Sequence, residues 1–110
     1  MIVTTGNEIP NKKIEEVLGI VKGNTIRARW FGRDIVAGLK NLVGGEIKSY
    51  TAMLNKARDE AYNRMIEEAK KLNADAIIAM RFTTSEIIQQ SAEVLAYGTA
   101  IKLKGSKEKI

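Results

Sequence analysis

The chain has 110 residues, 45% of them hydrophobic and 28% charged, with a net charge of +5 from 18 Lys and Arg against 13 Asp and Glu. A chain of this size holds one hydrophobic core, and this composition excludes a disordered polymer. Cysteine and histidine are both absent, which excludes disulfides, thiolate or imidazole metal sites, cysteine nucleophiles, Ser-His-Asp triads and histidine acid/base chemistry.

Ile2 to Thr5 reads as a short strand, closed by Gly6-Asn7 and a polar loop through Pro10 to Lys13. No basic segment precedes an apolar block, so no signal peptide is expected. Nor does any run reach the roughly 18 uncharged apolar residues of a membrane helix. The expected location is the cytoplasm. Ile14 to Val21 is a second predicted strand, and Lys22-Gly23-Asn24 is a turn signal. Thr25 to Phe31 should return as a third, antiparallel strand, with Ile26, Ala28 and Trp30 alternating with Arg27 and Arg29.

Gly32-Arg33-Asp34 is expected to open a short helix, in which Ile35, Leu39, Leu42 and Val43 fall at helical spacing. Gly44-Gly45 stops it. The main helix is predicted from about Glu46 to Leu72. Ile47, Tyr50, Leu54, Ala57, Ala61, Met65, Ala69 and Leu72 step by three or four and draw one apolar stripe. Opposite charges four apart support it, at Lys56 with Glu60, Glu60 with Arg64, and Glu67 with Lys71. Asn73 suits the left-handed conformation that closes a last turn.

Ala74 to Thr84 is the next predicted strand, with Ile78, Met80 and Phe82 on one face and Ile77, Ala79 and Arg81 on the other. A polar connection follows around Ile87-Ile88. Glu93 to Leu103 is the last strand, placing Leu95, Tyr97, Thr99, Ile101 and Leu103 together. Gly98 in its middle signals a bulge or a close backbone approach. The expected fold is α+β in two layers, an antiparallel sheet with one long and one short helix packed against it. One sheet face is left partly apolar, and burial in an oligomer is the usual remedy.

These residues resemble the YbjQ-like family of small bacterial and archaeal proteins, which carries a heavy-metal-binding label and no settled activity. The shared features are Thr4-Thr5, Leu18-Gly19-Ile20-Val21, Gly23, Gly44-Gly45-Glu46 with Tyr50, and Ala57-Arg58. They continue through Ala61, Met65, Glu68-Ala69, the run Leu72 to Ile78, and Tyr97-Gly98-Thr99-Ala100. Asn73 stands where the family usually has glycine. The resemblance implies a dodecin-subunit-like domain over residues 1–103 and a cyclic homo-oligomer, expected to be a pentamer; the lysine-rich composition of residues 104–110 reads as a basic flexible tail. The metal label transfers poorly to a chain without Cys or His.

Four sets of residues are candidate sites. Gly44 and Gly45 offer backbone N–H groups to an anion at a helix start, although Glu46 already supplies a carboxylate there and a plain helix break explains the pair. Arg58 and Arg64 flank the helix stripe, within reach of a ligand or of structural ion pairs. Arg27, Arg29 and Arg81 point away from the larger apolar residues of their strands and could converge on phosphate or carboxylate, or simply be solvated. Hydroxyls at Thr4, Thr5, Thr83, Thr84, Ser85 and Thr99 have no activating base at a defined spacing. The adjacent carboxylates Glu15-Glu16, Asp59-Glu60 and Glu67-Glu68 diverge on a strand or helix, a poor cage for a hard metal.

The sequence therefore points to a non-enzymatic homo-oligomeric protein, structural or ligand-binding, with no catalytic residue, metal ligand or cofactor. The alternative is a binding module for a metal ion or small anion in pockets between copies, built from Arg58, Arg81, Thr83 and Ser85. Its expected partner is itself. Neither a membrane nor nucleic acid is expected, since clusters of Lys and Arg interleaved with aromatics are scarce.

Overall fold

A computed structural model describes residues 1–26, 44–88 and 91–105. The elements are β1 (Ile2–Val3), β2 (Ile14–Ile26), α1 (Gly44–Lys71), β3 (Ala76–Ile88) and β4 (Ser91–Leu103). The strands form one open sheet in the order β1-β3-β4-β2. β4 pairs antiparallel with both β2 and β3, whereas β1 pairs parallel with β3 through Ile2 opposite Ala76 and Val3 opposite Ile77. The sheet is therefore mixed, which corrects the expected all-antiparallel layer. Alternation of side chains reports which face a residue takes, not the direction of its neighbour. That direction follows from the long crossover, containing β2 and α1, that separates β1 from β3.

Among the described residues there is one long helix rather than a long and a short one. The expected short helix, opened by Gly32-Arg33-Asp34 and running to Val43, lies outside the described residues. Gly44-Gly45 forms the first turn of α1. Ala57, Ala61, Met65 and Ala69 of the predicted stripe are fully buried, and their spacing keeps one narrow face on the sheet. The helix ends as expected. Asn73 takes φ +59°, the Asn73 N–H bonds the Lys70 carbonyl at 3.0 Å, and the Ala74 N–H bonds the Ala69 carbonyl at 3.1 Å. Two carbonyls left over by the last turn are thus satisfied. Leu72, expected to extend the stripe, lies past that turn and is exposed.

The predicted turn at Lys22-Gly23-Asn24 is absent, and β2 runs straight through it to Ile26. Gly23 is instead where α1 crosses β2. A Cβ there would overlap the Ala61 carbonyl and the Met65 amide of the helix. The glycine serves close approach rather than a reversal of the chain. The remainder of the predicted return strand lies outside the described residues.

β3 extends to Ile88, so the expected polar connection is largely strand. A register shift between Ile78 and Arg81 inserts a bulge, with Ala79 at φ +54°. The bulged amides bond the chain just after β1, Ala79 N–H to the Gly6 carbonyl at 2.8 Å and Met80 N–H to the Thr4 carbonyl at 3.0 Å. Opposite the bulge lies Gly98, where a Cβ would meet the Ile78 carbonyl at 3.1 Å. The extra residue reverses the alternation. Met80 accordingly joins Ile77 in the core under the helix, with Val21, Val94 and Ala96, instead of sharing a face with Ile78.

A second, smaller core occupies the sheet face away from the helix. Ala76, Ile78, Ile101 and Leu103 cluster there under Ile9 of the loop before β2. Burying side chains such as Ile77 and Ile101 completely contributes about 1.5–3 kcal/mol each. This cover reaches only one end of the face.

Candidate functional site

The uncovered part of that outer face is built by three adjacent strands in register. Ile20, Thr99 and Ile78 form one cross-strand row, and Lys22, Tyr97 and Arg81 the next. Asn24, Leu95 and Thr83 follow, with Glu93 beside Ser85 beyond them. The face thus grades from apolar to polar along the strands. Ile20 is 77% exposed and Val17, on the same face, 61%. Tyr97 lies between a lysine and an arginine on neighbouring strands, a spacing that permits cation–π contact. Asn24 closes the polar end by donating from Nδ2 to Glu93 Oε2 at 2.7 Å.

Arg81, Thr83 and Ser85 share this face, because no register shift separates them. They form a line rather than a cup, with Arg81 and Ser85 roughly 13 Å apart at the usual rise of a strand. Arg81 is partly committed to the fold. Its Nη1 donates to the Thr5 carbonyl and to the Met80 carbonyl, each at 2.8 Å. One guanidinium nitrogen thereby clamps the loop after β1 onto the bulge, while Nε and Nη2 make no hydrogen bond among the described residues.

Arg58 is elsewhere. It sits exposed on α1, which packs on the opposite face of the sheet, and donates from Nη1 to Asn55 Oδ1 at 3.2 Å. One small anion could bridge Arg58 and Arg81 only with the help of a second copy. Arg64 ties α1 to β2 by a bond from Nη1 to the Asn24 carbonyl, a structural role that its position beside the stripe allowed. Gly44 and Gly45 open the helix far along the chain from these groups. Arg27 and Arg29 lie outside the described residues. Thr4 Oγ1 accepts the Gly6 N–H at 3.1 Å, a turn contact.

Lys71 of α1 was expected to pair with Glu67, four residues before it. It pairs with Glu68 at 2.9 Å, three residues away. The hydrogen bond and charge of Glu68 raise the lysine pKa above its ordinary 10.5, with Glu67 adding to the effect. Sequence reasoning missed Lys22 as a member of the outer face, since the turn assigned to it hid its cross-strand partner. The alternation of Ile20, Lys22 and Asn24 with buried Val21, Gly23 and Thr25 was the available signal.

No group of three or more carboxylates, histidines or cysteines gathers among the described residues. No helix among them is long and apolar enough to cross a membrane.

Residues 1–104 match the YbjQ family model, described as "putative heavy-metal-binding". A UPF0145 protein of Archaeoglobus fulgidus is 58% identical over 104 residues, covering 94% of this chain and 96% of that protein. Another from Methanoculleus marisnigri is 59% identical over 103 residues, with 94% and 96% covered. A third, from Vibrio parahaemolyticus, is 54% identical over 103 residues, with 94% and 98% covered. Among solved structures, a protein of the DUF74 family from Pediococcus pentosaceus superposes with a TM-score of 0.64 at 21% identity, covering 94% of this chain and 98% of that one. That likeness concerns the fold alone. With the open mixed sheet, it replaces the expected dodecin-like subunit. The heavy-metal description meets donors that do not fit it. The chain has no Cys or His, and soft metals select thiolate and imidazole.

Proposed function

Because this chain belongs to the YbjQ-like family, the UPF0145 proteins, and its relatives bring no reaction with them, we propose that it is a non-enzymatic homo-oligomer with a structural or ligand-binding role. The observation that supports this is the outer sheet face, where Val17 and Ile20 stand in water beside Tyr97. Contiguous apolar surface of this kind mainly marks an interface. Identical copies cover it by symmetry. The sheet edges favour the same reading. Among the described residues β2 has no strand on its outer side, and on its β1 side β3 is strand-paired only at Ala76 and Ile77. Such edges are templates for pairing with another chain.

Five copies is the expected assembly, in the cytoplasm, with the protein as its own partner and nucleic acid not among its ligands. Native mass spectrometry tests it directly. The wild-type protein should give one species at five times the mass of the chain, and Ile20→Asp should move the population to monomer without changing the far-ultraviolet circular dichroism. A wild-type spectrum of monomer alone overturns the proposal.

A further inference from the structure

At the opposite end of the sheet from Asn24 and Glu93, where β1 begins and β4 finishes, lies a cavity of about 490 Å³. Its wall carries Lys12, Lys13 and Lys104 together with Asp75, Ile2 and Leu103. We infer that this cavity binds a small organic anion with a phosphate-type head and an apolar body.

Size is the first argument, since pockets for small molecules span roughly 300–1,000 Å³. Anchoring is the second. The Lys104 N–H bonds the Lys13 carbonyl at 2.8 Å, and the Lys12 N–H bonds the Ile9 carbonyl at 3.1 Å. Asn11, at φ +64°, turns the loop between them. The three lysines are therefore presented from backbone held by hydrogen bonds, not from a free tail.

Charge is the third argument. Among the described residues Asp75 is the one acid on the wall, against three lysines, so the described lining is net positive. Its carboxylate is already engaged, with Oδ2 accepting the Leu103 N–H at 2.8 Å. Three like charges in one cavity repel, and a dianion seated among them removes that repulsion. Ammonium groups act as point charges and bind phosphate well. The apolar part of the wall, Ile2 and Leu103, matches a ligand that is more than a bare ion.

Isothermal titration calorimetry of the full chain with phenyl phosphate tests the assignment, with benzyl alcohol and inorganic phosphate as the two half-ligands. Phenyl phosphate should bind saturably, at one site per chain and at least tenfold more tightly than either half. The triple variant Lys12→Gln, Lys13→Gln, Lys104→Gln should weaken it at least tenfold with unchanged circular dichroism. Removing two lysines outside the cavity, by Lys56→Gln with Lys70→Gln, should leave affinity within twofold. Absence of binding, equal affinity in the triple variant, or equal loss in the outside variant overturns the site. Inorganic phosphate binding as tightly as phenyl phosphate overturns the apolar body. These readouts are independent of assembly, which mass spectrometry follows separately.

Discussion

Gly23 shows how one residue type carries two structural meanings. Between Lys22 and Asn24 it has the local composition of a turn, and local composition is all that a turn signal contains. Its actual constraint is forty residues away in the chain, in the backbone of Ala61 and Met65. Gly23→Ala should lower stability by about 1–3 kcal/mol, because the added methyl meets helix backbone that cannot rotate aside. Urea denaturation with an unchanged slope would read that loss. Arg81 was legible as an exposed basic residue, but not in its facing: it was expected to share a face with Ile77, and the bulge turns it onto the face of Ile78. Its bonds to Thr5 and Met80 were not legible, since they depend on a bulge and on the path of the chain after β1.

At the scale of elements, α1 was legible almost to the residue. Its stripe is periodic over seven turns, and its last turn ends on an asparagine suited to positive φ. β3 was legible as a strand but not in its facing. A bulge changes the parity of every residue after it, and nothing in the run Ile77 to Phe82 announces one. The bulge also leaves a mark that can be tested. Ala79 occupies a left-handed conformation disfavoured for a residue with a Cβ, so Ala79→Gly should stabilise the protein by about 0.5–1 kcal/mol despite the extra freedom of glycine in the unfolded chain. A raised midpoint of urea unfolding is the expected result; a lowered one would mean that the alanine methyl contributes more by packing than the conformation costs.

At the scale of the whole molecule, among the described residues one helix covers one face of an open sheet, and the loop bearing Ile9 covers part of the other. The rest of that face, around Val17, Ile20 and Tyr97, is exposed in a single copy, and it is the surface we propose to be buried between copies. Folding and assembly are then linked, and stability should depend on protein concentration. The midpoint of thermal unfolding, measured over a hundredfold range of concentration, should rise with concentration in the wild type and stay constant in Ile20→Asp.

The sequence by itself determined the α+β character of the chain, the long helix with its close, the last two strands and the absence of cysteine and histidine chemistry. Each of these rests on local periodicity, on a single residue's conformational range or on composition, all of which are complete within a short window. Only the tertiary structure decided that β1 runs parallel to β3, that Gly23 lies under a helix, that Met80 faces inward, and that Lys12, Lys13 and Lys104 share a cavity. Those facts join segments distant in the chain, and their cause is packing: which backbones approach closely, which amides remain to be bonded, and which charges are brought together when the sheet closes on its helix.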